Sequence, residues 1–399
     1  MPLYVSLLAY ALLISLGGVS QAEGEDPVYI GFDGEYGLLN STSAQSIERG
    51  IRVAMDEING AGGVLSGRPL ELLTKDNRSV PARGRENIRQ FVQIKDLVAV
   101  IGGRFSPVIL DVLPLVHREG IVLLDAWGAA DGITDHGYNP SYSFRLSLKD
   151  QFAIPVMLQH AVDKGISQVG VLLPNTGWGR SNAKAINRYQ ATNSELKILE
   201  PVWYNWGEKV MLRHYMRLVD AGAEAVILVA NDMEGSLLVS QLATLGEGEP
   251  VPIVSHWGVT GGRMVEKSGE MLHKLDFSVV QTFSFFKADP GMRDRVMSVT
   301  QRLYGIDEYE KIESPVGFGH AYDLIHILAR AIELAGSTDR GAIRDALEQV
   351  KQYQGLTGYY AAPFTPERHD ALRQEQVFMA RYRRDGVIEP INGNVVKSD

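Results

Sequence analysis

The 399-residue chain contains no cysteine, which excludes disulfides, thiolate metal sites and a lipid anchor carried on sulfur. Other chemical signatures are missing too. No GxGxxG follows the first expected strand and no GxxxxGKS or GxxxxGKT occurs, so neither a dinucleotide nor a nucleoside triphosphate has its usual glycine cradle. Gly179-Arg180-Ser181-Asn182 lacks the second glycine of a GxSxG nucleophile elbow. The nine histidines show neither HExxH nor closely paired metal spacing. No cofactor, metal or catalytic residue is therefore expected. Positive charge is in deficit: 39 Lys and Arg stand against 48 Asp and Glu, a formal net charge of -9. That balance argues against a nucleic-acid partner, whose phosphates call for a basic face. Repeats, low-complexity segments and long linkers are absent as well, so any domain boundary is a hinge, not a tether.

One charge-free apolar segment is present, at the start. Residues 1–22, MPLYVSLLAYALLISLGGVSQA, run apolar from Leu3 to Leu16, too short for a span of about 20 residues. Ser20 and Ala22 occupy the -3 and -1 positions of a cleavage site. The segment reads as a secretory signal peptide cut after Ala22, although its n-region has no Lys or Arg; an uncleaved N-terminal anchor is the alternative. The mature protein is expected free in the periplasm.

The most structured signal is Gly50 to Asn77, GIRVAMDEINGAGGVLSGRPLELLTKDN. Ile47, Ile51, Ala54, Met55 and Ile58 share one helical face. Asn40 to Ser43 offer N-caps, and Asn59-Gly60 with Gly62-Gly63 ends the helix. Val28–Phe32 precedes it as a strand and Pro69–Thr74 follows as another. Asp56-Glu57 sits on this helix, with Arg52 four residues before Asp56 as an expected ion-pair partner. Alternation continues through a helix at Ile88, Phe91 and Val92, the buried strand Leu97–Ile101, a helix opened by Pro107, and the strand Ile121–Leu124. Such alternation means a parallel sheet covered on both faces, with ligands at the carboxyl ends of its strands. A second series begins after Tyr142–Leu146, with strands expected at Val169–Leu173, Lys197–Leu199, Ala225–Val229, Pro252–Val254 and Phe277–Gln281. The tail adds a hairpin-like stretch, Gly355 to Phe364, and a strand, Gln376 to Tyr382.

From about Val28 to Tyr382 the chain resembles the type I periplasmic solute-binding proteins that serve branched-chain amino acid ABC transporters. The resemblance rests on the Gly50–Asn77 stretch, on Val98-Ala99-Val100-Ile101-Gly102-Gly103-Arg104-Phe105-Ser106, on Glu119-Gly120-Ile121, and on Asp131–Tyr138. It implies an α/β fold of two doubly wound parallel-sheet lobes joined by a hinge of about three crossovers. The lobes are expected at 26–145 plus 283–354 and at 146–282 plus 355–399, with ligand in the cleft. It further implies a non-enzymatic receptor, monomeric, that closes on a small solute and delivers it to a membrane permease.

The resemblance also nominates a site. Ser106 falls on the serine that bonds the ligand carboxylate, at a helix N-terminus that favours an anion; its alternative role is a plain N-cap. Phe105 adjoins it, and the chemistry of a guanidinium makes Arg104 either a fork for the same carboxylate or a surface arginine on the exposed loop. Asp125, Trp127 and Ala129 lie where backbone and a threonine usually hold the ligand, the threonine position being Ala129. Trp178 matches an aromatic that covers the ligand, and Asn231-Asp232 follows a strand where a tyrosine is common. His256-Trp257 replaces the usual acid for an ammonium, which puts a leucine-type ligand in doubt. Glu35, Asp125 and Asp232 are the remaining amine-binding candidates, with a structural role as the first reading of each, and Tyr36 is placed at the cleft mouth. The three tryptophans point toward a ligand with a flat or apolar part, an amino acid, amide or aromatic carboxylate. Rival readings are a ligand-sensing module partnered with a signalling protein, and a secreted α/β enzyme.

Overall fold

The computed structural model describes residues 26–38, 41–245 and 250–391; the expected signal segment and Asn40 lie outside them. Chain order gives β1 (Val28–Gly34), α1 (Ser43–Gly60), β2 (Leu70–Asp76), α2 (Pro81–Val92), β3 (Leu97–Gly102), α3 (Ser106–Glu119), β4 (Val122–Asp125) and β5 (Ser143–Arg145). These five strands form one all-parallel sheet in the order β2-β1-β3-β4-β5. Residues of β3 and β4 are buried throughout, as a sheet covered on both faces requires.

The second series is α4 (Asp150–Asp163), β6 (Gln168–Pro174), α5 (Gly177–Thr192), β7 (Lys197–Ile198), β8 (Val202–Tyr204), α6 (Leu212–Asp220), β9 (Ala225–Leu228), α7 (Asp232–Leu242), β10 (Ile253–Ser255), α8 (Met264–Ser268) and β11 (Phe277–Gln281). The chain then forms α9 (Pro290–Tyr304), α10 (Pro315–Ala335), α11 (Arg340–Leu347), the β12 (Tyr353–Gln354) and β13 (Tyr359–Tyr360) hairpin, β14 (Phe378–Tyr382) and β15 (Ile388–Pro390). The second sheet runs β15-β14-β11-β10-β9-β6-β7, with β8 also on β6.

This sheet is mixed, not parallel throughout. β14 is antiparallel to β11 and β15 antiparallel to β14. The physical reason is direction of entry: β11 ends where the chain leaves this lobe, and the tail re-enters at that same end, so β14 must run back along it. β15 then needs only a tight turn, which antiparallel neighbours allow.

α10 returns to the first lobe and lies along α1. Gly50 makes that contact possible, because a Cβ there would stand 2.2 Å from the Phe318 carbonyl oxygen. Ile47, Ile51, Ala54 and Met55 are buried on the same helix, as their spacing predicts. The charges differ from expectation. Arg52 Nε donates to Glu48 Oε1 at 2.6 Å, Asp56 pairs with Arg302 of α9, and Glu57 accepts from the Tyr322 hydroxyl at 2.6 Å and faces His326 at 3.1 Å. The acids therefore tie α1 to α9 and α10: the Asp56–Arg302 pair does so at the surface, while Glu57 is largely covered where α10 lies along α1.

Where the first and third crossings run side by side, Arg145 is fully buried and donates through Nε to Asp370 Oδ1 at 2.7 Å, while Lys149 Nζ reaches Asp370 Oδ2 at 2.9 Å. Two backbone bonds, Arg145 N–H to His369 O and Ala371 N–H to Arg145 O, lock these segments together. The hairpin beside the last crossing is held on α10, where Asp323 accepts from the Tyr353 hydroxyl and the Leu356 and Thr357 N–H groups.

Candidate functional site

The first sheet reverses direction of winding between β1 and β3, the second between β6 and β9, and strand ends at such switch points are where open α/β sheets bind ligands. In this molecule those ends face each other. The loops after β3, β4, β6, β8, β9 and β10 converge on a cavity bordered by Arg104, Phe105, Ser106, Trp127, Ala129, Trp178, Asn231 and Trp257. Its free space is about 10 Å³, on the scale of a single water. A solute is admitted only by parting the lobes or swinging a lining ring.

Aromatic rings make the walls. Trp127 and Trp257 approach from opposite lobes with centroids 5.6 Å apart and planes tilted by 45°. Trp257 rests in turn on His320, 5.7 Å away. Burial lowers the His320 pKa to about 4. Its Nδ1 faces the Ala126 carbonyl at 3.0 Å and its Nε2 faces the Thr282 hydroxyl, also at 3.0 Å. A carbonyl only accepts, so Nδ1 carries the proton and Thr282 donates to Nε2. The benzo edge of Trp127 packs against α10 at Gly317, turning its indole N–H edge away from that helix.

Trp206 also lines the cavity and meets Phe105 edge-on at 5.5 Å. It was absent from the sequence-based site because the short strand β8, which delivers it, was not expected. The pattern Val202-Trp203-Tyr204, buried, exposed, buried, followed by Asn205-Trp206-Gly207, was the available signal. Pro107 and Gly258 complete the lining.

The polar groups divide into those already engaged and those without a partner. Ser106 opens α3 but makes no cap bond; its Oγ accepts from the Ala129 and Ala130 N–H groups at 3.0 and 3.2 Å. Its N-cap alternative is thereby replaced by a clamp on the next loop, and the hydroxyl proton is left to donate. Arg104 Nη1 donates to Asp232 Oδ1 at 3.0 Å, with side-chain exposures of 4% and 2%, and this buried pair spans the two lobes. Gly261 leaves the room for it, since a Cβ there would fall 1.9 Å from Nη1. Arg104 Nε, Trp127 Nε1 and Trp206 Nε1 are buried with no hydrogen-bond partner.

The nearby carboxylates each accept hydrogen bonds from other groups of the protein. Asp232 has Lys267 Nζ as a second partner at 2.9 Å and does not border the cavity. Asp125 likewise stands outside it: Oδ1 accepts the Trp127 and Gly128 N–H groups at 3.1 and 2.7 Å, shaping the loop that presents Trp127. Burial outweighs the nearby Arg145 charge and raises the Asp125 pKa to about 7. Glu35 accepts from the Ser43 hydroxyl and the Arg104 backbone N–H. Tyr36 donates to Glu48 at 2.6 Å and packs edge-on to Phe32, so it is held against α1 and lines no part of the cavity. Glu35, Asp125 and Asp232 are each held by donors of the protein, and none of them borders the cavity.

Behind the wall, Asp150 Oδ1 accepts from Trp178 Nε1 at 3.2 Å and from His256 Nε2 at 3.1 Å. His256 is fully buried and meets Trp178 edge-on, outside the cavity lining. Among the described residues no three His, Asp or Glu side chains cluster to hold a metal, and no helix is long and apolar enough to cross a membrane.

The sequence profile described as periplasmic binding protein matches residues 28–386. The chain belongs to the periplasmic binding protein family. This family is one of periplasmic solute-binding receptors. A curated relative, Leu/Ile/Val-binding protein homolog 1 of Brucella abortus, is 23% identical over 361 residues, covering 88% of this chain and 89% of the relative. The branched-chain amino acid transporter substrate binding protein LivJ of Streptococcus pneumoniae, solved with isoleucine, superposes with a TM-score of 0.77 at 20% identity, covering 92% of this chain and 99% of that one. An ABC transporter solute-binding protein of Rhodopseudomonas palustris, solved with 4-hydroxybenzoate, gives 0.75 at 16% identity, covering 92% and 96%. The type I periplasmic binding fold thus accounts for both sheets, the hinge and the position of the cavity. Within that fold, Ala129 offers backbone but no hydroxyl; its N–H is taken by Ser106 and its carbonyl by the Asp150 N–H.

Proposed function

We propose that this protein is the extracytoplasmic solute receptor of an ABC importer, binding an amino acid or related small solute, aromatic or amide compounds included, and presenting it to a membrane permease. The observation that carries the reading is the buried Arg104–Asp232 pair beside an aromatic cavity between the lobes. Two charges drawn from opposite lobes and removed from water are stable only while the lobes meet, so the site and the open–closed equilibrium share residues. A solute that touches both walls adds its differential affinity to the closed form and displays a surface the open form lacks. The lobes are assigned as 26–145 with 283–354 and 146–282 with 355–399. The mature protein is monomeric and periplasmic, released by cleavage after Ala22, and it carries out no catalysis.

A thermal-shift screen of amino acids, amides and aromatic acids, followed by calorimetry, tests the reading, since a specific ligand raises stability by RT ln(1 + [L]/Kd). Micromolar affinity, about -8 kcal/mol, with contraction in solution scattering is the expected result. Loss of uptake of that solute on deletion of the gene completes the test. Binding without any effect on uptake points instead to a sensing role.

A further inference from the structure

We infer that the cavity selects an aromatic carboxylate that carries no ammonium group; this rests on the receptor reading above. The buried unpartnered polar atoms on the residues lining the cavity are donors. Ser106 keeps its hydroxyl proton because both its contacts there are N–H groups donating to it. Arg104 Nε, Trp127 Nε1 and Trp206 Nε1 are buried N–H groups without acceptors. A buried donor left unmade costs free energy that an entering acceptor recovers, and a carboxylate supplies several lone pairs in one small group.

The complementary group for an ammonium is missing. Asp232 is taken by Arg104 and Lys267, Asp125 by its own loop, Glu35 by Ser43 and the Arg104 N–H, and Asp150 by Trp178 and His256. The second oxygens of Asp125 and Asp150 are unpartnered, but neither residue borders the cavity. The one acceptor-bearing side chain on the lining with no protein hydrogen bond among the described residues is the Asn231 amide, which is neutral. An ammonium buried here would lose its hydration with no anion to replace it. The rest of the wall is Phe105, four indoles, Pro107, Ala129 and Gly258. Opening Trp127 from Trp257 by about 3.5–4 Å, one carbon thickness, admits a flat ring, and the ring then meets π faces on both sides.

A matched pair isolates the claim: 3-phenylpropanoate and phenylalanine differ only in the ammonium. Calorimetry on the full mature protein should show 3-phenylpropanoate or benzoate binding at least about 100-fold more tightly than phenylalanine. Trp127→Phe, which keeps an aromatic ring and deletes the N–H, should weaken the carboxylate about 5- to 20-fold, and a circular-dichroism melt within a few degrees of wild type confirms that it folds. Equal or tighter binding of phenylalanine overturns the inference. So does tight binding of leucine or another α-amino acid with no binding of either aromatic carboxylate, an outcome that leaves the receptor reading intact. Failure of every solute in the screen to bind overturns both.

Discussion

Replacing Asp232 by alanine should open the unliganded protein. In the closed arrangement Arg104 and Asp232 are almost wholly screened from water and bonded at 3.0 Å across the cleft. Removing one member of a buried pair costs about 3–5 kcal/mol, because the other charge is left without compensation. Here, unlike in a rigid core, the orphaned guanidinium has an escape: parting of the lobes returns it to water. The cost therefore falls on the closed conformation and only weakly on folding. At about 1.4 kcal/mol per tenfold, the closed population relative to open should fall by a factor on the order of 10² to several times 10³. The shift is opposed by contacts that remain, namely Thr42 N–H to the Gly261 carbonyl at 3.0 Å and the Ser314 hydroxyl to the Thr260 carbonyl at 2.7 Å.

Small-angle scattering of unliganded wild type and Asp232→Ala reads the change directly as a larger radius of gyration in the variant. The melting temperature should move little. Asp232→Asn, which keeps an acceptor opposite Arg104, should lie between the two. Superimposable scattering curves for wild type and Asp232→Ala would refute the reasoning, since the pair would then hold nothing closed.

Three further outcomes follow from the packing and the buried acids. Gly50→Ala should destabilise the fold by about 1–3 kcal/mol in urea denaturation, because overpacking against the Phe318 carbonyl exceeds the ~1 kcal/mol gained in helix propensity. Asp125 titrates near 7 when folded and at 3.8 ordinarily, so the folded state holds a proton that the unfolded chain has released between those values. Its contribution to stability is present below about pH 4 and is lost as pH rises through about 7. Asp125→Asn should therefore flatten the fall in melting temperature between pH 5 and 7.5; an unchanged slope counts against a protonated Asp125. Asp370 is the opposite case: the Arg145 and Lys149 charges override burial and hold its pKa at about 2, so its contribution is full above the ordinary 3.8 and is lost as pH falls toward 2. Asp370→Asn leaves Arg145 buried without its carboxylate and should cost about 3–5 kcal/mol at neutral pH, with the gap to wild type closing in acid, as followed by calorimetry.

How much of this was legible in the sequence depends on whether the signal was local. The helix face of α1 and the strands β3, β4, β6 and β9 announce themselves by spacing and apolar runs, because the sheet neighbours demand those residues wherever the chain goes. Strands of two or three residues do not: β8 is only Val202–Tyr204, its pairing with β6 is a tertiary fact, and Trp206 was missed with it. Partner choice was equally hidden. Thr42 stands at the N-cap of α1, where its hydroxyl was expected to serve the helix; instead it meets the Ser314 hydroxyl at 2.6 Å while its N–H crosses to Gly261. Ser106 and Asp56 were diverted in the same way, since a polar side chain takes whichever partner the fold brings nearest.

The acids around the cleft show the same limit most clearly. Sequence puts Glu35, Asp125 and Asp232 among the segments that follow or end β1, β4 and β9, and all three are buried. Whether a carboxylate is available to a solute, however, is decided by what already donates to it, and those donors come from residues 2 to 128 positions away. On the proposed reading, the residue types at a strand end point to where a solute is held, while the charge it carries is set by which of their hydrogen bonds the protein has already made.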